Sequence, residues 1–499
     1  LHVDAAREML RDVMMPVART ETVGLLQALG RPLSAAILAP IDVPLFDNAA
    51  MDGYAFDGAM LDADPLPPSL TLTVVGQAYA GHPLTERVGR NQCARVMTGA
   101  PMPPGTDTLI PHEYAIRATA LQTSEHTGDA VPVDLAALPV VTLSTAGFRK
   151  GANRRRVGED VRRGQLVFDA GRTLRAPDLG VLASLGIATV QVRARLRVAF
   201  FSTGDELYPL GSALPPGGLY DSNRYTLHGM LTRLGVEAID LGVVRDDPAA
   251  LAEALHRAST CADAIISSGG VSAGDADFVR DVFSAAGDIV FWKLAMRPGR
   301  PFAFGLLAPA AAQSTAGGPV PTDATGGSAA VDLIDGVASV QPSTTDAIEG
   351  TAAGIGRTIP FFGLPGNPVA VVASFYHLVR DALLAAMGAA PQAPPRVRAR
   401  LTAPVRKRPG RTEFARGIAH RGRLSGSEGL AAHDAQPVTN RGLATAHDDG
   451  EWQVSLSGAQ GSGVLSSMSK GNCFIILPHD SADLHEGDWV DIVFFEGLL

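Results

Sequence analysis

The stretch Leu196-Arg197-Val198-Ala199-Phe200-Phe201-Ser202-Thr203-Gly204-Asp205-Glu206 decides the fold: an apolar run of strand length ends on a Ser-Thr-Gly turn that carries two acids. After it come helix-patterned residues Arg224 to Leu234, a strand-like Glu237 to Val243, helix-patterned Ala249 to Ala258 and the short apolar run Ala264 to Ser267. Strands alternating with helices predict βαβ units. Their crossovers are right-handed and put helices on both faces of a parallel-type sheet, giving a three-layer α/β domain. Ligands of such sheets sit in the crevice outside the carboxyl ends of the strands. The expected functional edge is therefore Ser202 to Glu206, Gly242 to Asp247, Gly269 to Asp277 and the turn Leu364-Pro365-Gly366-Asn367-Pro368.

The chain of 499 residues is longer than one hydrophobic core supports, and its 46% hydrophobic content can fill several. Apolar residues from Val3 to Leu29 recur at helical spacing, and a second such stretch starts at Pro32 to Ile37. From Leu70 to about Thr142, β-rich runs such as Leu72 to Val75 are punctuated by Gly, Pro and Asn, and helical patterning returns at Ala176 to Leu185. This predicts a discontinuous helical linker domain, 1–48 and 150–194, holding an inserted β-rich module, 49–149. The α/β domain covers 195–392. Within it, Ala, Gly and Ser dominate 308–357, a flexible insertion between strand-like Phe302 to Leu307 and Ile359 to Leu364. Past a linker at Pro391 to Pro395, alternation in Asn472 to Leu477 and Trp489 to Phe494 predicts a C-terminal β-barrel over 393–499.

Composition excludes several classes. A net charge of −9 disfavours nucleic acid, whose affinity comes from Lys and Arg on phosphates. No apolar run is expected to span a bilayer, and Leu1 to Val13 is charged rather than signal-like, so no membrane role is expected. Cys93, Cys261 and Cys473 form no C-x-x-C pair, which argues against a zinc site or disulfide framework and for a cytoplasmic setting. The cluster Arg154, Arg155, Arg156, Arg162 and Arg163 reads as solvated surface, with an anion contact as the alternative.

The acids Asp205-Glu206, Asp247, and Asp275 with Asp277 would gather at the strand ends. Crowded carboxylates are costly without a cation or proton among them, which points to magnesium. Helix capping is the competing account, for Asp275 and for Asp221 before Ser222. Lys293 and the turn Arg297-Pro298-Gly299-Arg300 suit a phosphate or oxyanion, against the alternative of a solvated hairpin turn. Gly269-Gly270-Val271-Ser272-Ala273-Gly274 offers backbone N–H groups to an anion. The same residues satisfy G-x-S-x-G, with Ser272 as a would-be nucleophile. The histidines for such a triad are misplaced, His377 in a helical pattern and His479 in the β-rich tail, so the anion cradle is preferred. Neither the P-loop nor the dinucleotide glycine motif occurs in the right context.

With these loops in hand, the sequence resembles the molybdopterin molybdotransferase family and the related domain of gephyrin. The marks are Asp47 to Ala55, Arg95-Val96-Met97-Thr98-Gly99-Ala100-Pro101, Gly158-Glu159-Asp160, Ser202 to Leu207 and Asp221-Ser222-Asn223-Arg224. Then come Ser268 to Ser272, Phe291 to Pro301, Gly363 to Val369 and Gly410-Arg411-Thr412-Glu413-Phe414. The resemblance implies an elongated homodimer that inserts molybdate into adenylylated molybdopterin with magnesium-dependent release of AMP. It also implies a handover of that substrate from the molybdopterin adenylyltransferase. The implied catalytic acids are Asp52, Asp160, Glu206, Asp221 and Asp277, with Glu206, Asp221 and Asp277 on the metal. The expected substrate contacts are Thr98, Asp205, Asp247, Gly269, Gly270, Ser272, Lys293, Arg297, Arg300, Pro365, Gly366 and Asn367. In the family the cleft lies between the α/β domain of one subunit and the inserted module of the other, which would bring Asp52, Thr98 and Asp160 to Glu206. Arg297 and Arg300 stand where relatives commonly carry Lys, and Ala370 where Ser is frequent. Rival readings are the preceding adenylyltransferase, a nucleotide amidohydrolase on the same α/β domain, a gephyrin-type scaffold and a serine hydrolase.

Overall fold

The computed structural model describes residues 1–118, 139–270, 282, 285–307, 358–390, 393–422 and 450–498. It divides into two compact units, one of Thr22–Leu29 and Leu33–Val192, the other of Leu1–Glu21, Gly30–Pro32 and Arg193–Leu499.

In the larger unit the strand Arg197–Thr203 sits inside a six-stranded sheet. The order is Glu237–Val244, Arg197–Thr203, Ala264–Ser268, Ile359–Leu364, Pro301–Leu307, Gly287–Lys293. The first four strands run parallel. Pro301–Leu307 runs antiparallel to both its neighbours, so the sheet is mixed where a parallel-type sheet was expected. The chain leaves at Leu307 and re-enters at Ile359 directly beside itself, which an antiparallel pair allows without a crossover helix.

Side chains alternate across this sheet. Val198 and Phe200 join Leu227 and Leu231 of the helix Asn223–Leu234 in one core, while Ala199 and Phe201 join Leu251 and Leu255 of the helix Pro248–Cys261 in the other. That alternation is the three-layer architecture, and each fully buried Phe or Leu adds roughly 1.5–3 kcal/mol. The helical stretch Pro368–Ala386 belongs to the first core. With 19 residues and a mean hydropathy of 1.5 it is long and apolar enough to cross a membrane, contrary to the expectation that no run reaches that length. Its most apolar window is 83% buried inside the fold, the signature of a core helix. Phe375–Val379 within it is π-helical, and His377 there stacks on Phe414 with ring centroids 3.6 Å apart.

The opening helix is Val3–Val13 only, and a strand, Thr20–Gly24, stands where helical spacing suggested continuation to Leu29. Val3, Ala6 and Leu10 form one stripe buried in the α/β core beside Leu378 and Ala382. Leu1–Glu21 therefore groups with the larger unit rather than with the linker segment expected for 1–48. Val397–Leu401, Thr412–Arg421, Trp452–Leu456, Cys473–Leu477 and Trp489–Phe494 close into a five-stranded barrel, because Thr412–Arg421 pairs with both Trp452–Leu456 and Cys473–Leu477. Arg416, 1% exposed, donates to the carbonyls of Ala459, Gln460 and Gly461 and to Ser467 Oγ.

The smaller unit centres on a six-stranded sheet in the order Thr108–Pro111, Gly53–Phe56, Gln92–Val96, Ser69–Ala78, Val140–Ser144, Ala115–Ala118. Beside it lie two-stranded pieces, Asn48–Ala49 with Arg154–Arg155 and Ile37–Leu38 with Leu166–Phe168, and the helix Ala176–Ser184.

Candidate functional site

Parallel register brings the carboxyl ends of four strands to one edge. Ser202 lies opposite Val243 and Ser268, and Ser268 opposite Leu364, so the loops beginning at Thr203, Arg245, Gly269 and Pro365 emerge together. The antiparallel pair adds Lys293, opposite Pro301, at the same edge.

Asp205, Glu206 and Asp246 crowd one end of this edge. Asp246 N–H donates to Asp205 Oδ1 at 3.3 Å. Loss of water around its carboxyl, then the negative charges of Asp205 and Glu206, push Asp246 above the ordinary Asp range. Asp247 is engaged differently: its side chain accepts from Ala250 N–H at 2.9 Å and caps the helix Pro248–Cys261. The sequence held this signal, since Pro248 at the first helical turn makes Asp247 the cap and frees Asp246.

Next to the acids lies a backbone cradle. Gly269 has φ +94°, and a Cβ there would stand 2.5 Å from the Thr203 carbonyl oxygen, so only glycine fits. Gly270 also has positive φ, and Gly366 neighbours Gly269, a Cβ on it standing at an ordinary contact distance of 3.8 Å from the Gly269 Cα. Gly269 N–H donates to the Leu364 carbonyl at 3.0 Å, and the Ser202 and Ser268 hydroxyls pair at 2.9 Å beneath. Pro365 is buried, and Gly366 and Asn367 are exposed at the turn. Thr203 Oγ1, against Gly269, and Asn223 Oδ1, on the residue bonded to Gly366, are buried with no hydrogen-bond partner, as is Asp221 Oδ2 two residues before Asn223. Such an orphan costs about 1–3 kcal/mol, which a bound ligand relieves. Ser272, Asp275 and Asp277 lie outside the described residues.

The cationic turn is anchored rather than free. Leu294 N–H donates to the Arg300 carbonyl at 2.8 Å, and Met296–Arg297 pairs in parallel with Thr412–Glu413 of the barrel. Arg297 reaches Glu413 at 3.5 Å, so part of its charge is already answered. Lys293, Arg297 and Arg300 are all exposed.

In the smaller unit, antiparallel pairing of Gly53 with Val96 sets Asp52 beside Thr98. Asp52 Oδ1 accepts from Thr98 N–H at 2.7 Å and from Thr98 Oγ1 at 2.6 Å. The Thr98 hydroxyl bond, then its N–H, hold the Asp52 carboxyl below the ordinary range. Asp160 is exposed, its N–H bonded to the Val43 carbonyl at 3.0 Å. Arg154 pairs with Asp47, whose other oxygen accepts from Val157 N–H at 2.9 Å, so the arginine cluster is partly structural. The thiols of Cys93 and Cys473 are buried and pushed up to about 12, far from reactive.

Three family models match the chain: MoeA N-terminal region (domain I and II) over residues 1–186, probable molybdopterin binding domain over 199–385, and MoeA C-terminal region (domain IV) over 427–495. A molybdopterin molybdenumtransferase of Haemophilus influenzae is 33% identical over 500 residues, 100% of either chain. Molybdopterin molybdenumtransferase 2 of Mycobacterium tuberculosis is 31% identical over 411 residues, 81% of this chain and 84% of that one. The solved molybdopterin biosynthesis MoeA protein of Pyrococcus horikoshii superposes with a TM-score of 0.68 at 24% identity, covering 99% of this chain and 100% of that one. Architecture and matches together define a MoeA-like multidomain protein with a mixed-sheet α/β domain and a closed barrel. The chain belongs to the molybdopterin molybdenumtransferase family, enzymes of molybdenum cofactor biosynthesis.

Proposed function

We propose that this enzyme inserts molybdate into adenylylated molybdopterin and releases AMP, with magnesium as its cofactor, in the last step of molybdenum cofactor assembly. The observation that carries the reading is the crowding of Asp205, Glu206 and Asp246 beside the Gly269–Gly366 cradle with its orphaned oxygens. A divalent cation suits this edge, because Asp246 is pushed up by loss of water and then by the negative charges of Asp205 and Glu206. Among the described residues no group of three or more His, Cys, Asp or Glu side chains is set to hold a metal, so a magnesium ion here would also need waters and substrate phosphates as ligands. Glu206 and Asp205 would hold it, together with Asp277 from the resemblance. When bound, magnesium supplies charge for the phosphoanhydride oxygens.

The chain's own residues do the rest. Backbone N–H groups of Gly270 and Gly366 orient the bound substrate, and Lys293 with Arg297 and Arg300 draws in the dianionic molybdate and the phosphates. Molybdate loses oxo groups as water when sulfur binds, which consumes protons. Asp246, whose carboxyl is pushed above the ordinary Asp range by loss of water and then by Asp205 and Glu206, lies against that edge and is the group we assign to relay one. We also assign a homodimer in which Asp52, Thr98 and Asp160 of one subunit complete the cleft of the other, a cytoplasmic location, and handover from the adenylyltransferase. Glu206→Gln should lower molybdate-dependent AMP release by at least about a hundredfold, the scale of a lost acid–base or charge-positioning group. A Glu206→Gln enzyme that keeps full activity would sink the reading.

A further inference from the structure

The oxygens orphaned at the start of the Asn223–Leu234 helix have no part in those steps. Asp221 is 3% exposed and Asn223 9%. Asn223 Nδ2 donates to the Gly366 carbonyl at 2.7 Å; a carbonyl only accepts, so the amide orientation is fixed and Oδ1 is the atom left over. Asp221 Oδ1 accepts from Arg224 N–H at 3.1 Å, and Oδ2 is left over. Thr203 Oγ1 lies against Gly269, where a Cβ would stand 2.7 Å from it. A Cβ added to Gly366 would lie 3.8 Å from the Gly269 Cα, so Thr203, against Gly269, and Asn223, bonded to Gly366, border the same cradle, with Asp221 two residues before Asn223.

An ionised carboxylate and an amide oxygen accept and cannot donate. Their partner must present hydrogens. In an adenylylated pterin, the adenine edge offers an amino donor beside a ring acceptor, which leaves one protein acceptor facing another. The aminopyrimidinone edge offers a 2-amino group and N3–H side by side with no acceptor between them. That edge carries three hydrogens, and Asp221 Oδ2, Asn223 Oδ1 and Thr203 Oγ1 are acceptors without one.

We propose that Asp221, Asn223 and Thr203 form the socket for the aminopyrimidinone edge of the pterin, so that Asp221 reads the substrate and does not hold the metal. This rests on adenylylated molybdopterin as the substrate and says which end of it enters the cradle. The test titrates the full chain with 6-hydroxymethylpterin, with 6-hydroxymethyllumazine, in which an oxo group replaces the 2-amino group, and with AMP. The expected result is pterin binding at least about tenfold tighter than lumazine binding, the scale of a site whose polar groups are left unpaired. Thr203→Val should erode that preference while AMP affinity stays within about twofold, and Thr203→Ser, which keeps the hydroxyl, should retain it. Equal binding of pterin and lumazine, no pterin binding, or a variant that loses AMP instead would overturn the socket. Molybdate-dependent AMP release is read separately. Release without pterin preference removes only the socket, and pterin preference without release removes only the reaction.

Discussion

Asp52 draws two hydrogen bonds from a single residue, Thr98, and those bonds depress its carboxyl. In Thr98→Val the hydroxyl bond is lost and the Asp52 titration should move up towards the ordinary Asp range, read by carbon-13 NMR of the carboxyl; an unmoved titration would contradict the account. A depressed carboxylate stabilises the fold above its unfolded pKa and loses that effect as pH falls through the folded value, so the wild type should be the more acid-resistant of the two at this group. Gly269→Ala places a Cβ against the Thr203 carbonyl at positive φ and should cost roughly 1–3 kcal/mol, visible as a lower Tm. An unchanged Tm would mean the cradle is not tight. At this scale the sequence was legible wherever a motif carried a local rule. Asp205 and Glu206 fall where the Ser-Thr-Gly turn put them, whereas Asp246 was passed over for Asp247 although Pro248 marks the cap. The free oxygens of Asn223 and Thr203 were beyond reach, because which atom is left unpaired depends on contacts with Gly366 and Gly269 far along the chain.

The elements that were readable are those whose period is set by burial on a known number of faces. Val198 to Phe201 alternates between two cores, and Leu227, Leu231 and Leu234 repeat along one helix stripe, so strand and helix both declare themselves. Residues after Val13 mislead, because their apolar spacing serves a strand. The π-helical turn Phe375–Val379 has no sequence signature, and it carries a consequence for acid stability. Burial, then Arg7, Arg396 and Arg380, keep His377 well below the ordinary His range, so it stays neutral when the unfolded chain takes up a proton. Below about pH 6.5 the unfolded state therefore binds more protons, and stability falls as pH drops, by up to about 1.4 kcal/mol per pH unit from this group. His377→Phe should flatten that slope in denaturant titrations between about pH 5 and 6.5. An equal slope in both proteins would assign the acid sensitivity elsewhere.

At the scale of the whole molecule, the barrel and the mixed sheet are joined through Met296–Arg297, which pairs with Thr412–Glu413, so the cationic turn is held by the barrel as well as by its own strands. The α/β domain and the C-terminal barrel were visible in changes of composition and period, but the packing of the opening helix was not. Leu1–Glu21 packs with the α/β core because its stripe of Val3, Ala6 and Leu10 finds partners hundreds of residues away. If two subunits share each cleft as proposed, inactive Asp52→Asn and Glu206→Gln proteins, unfolded and reassembled together, should recover roughly a quarter of wild-type activity through mixed dimers. No recovery would place both residues in one subunit's site or outside it. The most direct test of the central claim is AMP release from adenylylated molybdopterin by the purified protein with magnesium, with and without molybdate. The account predicts AMP only when molybdate is present; release that ignores molybdate, or none at any molybdate concentration, would contradict it.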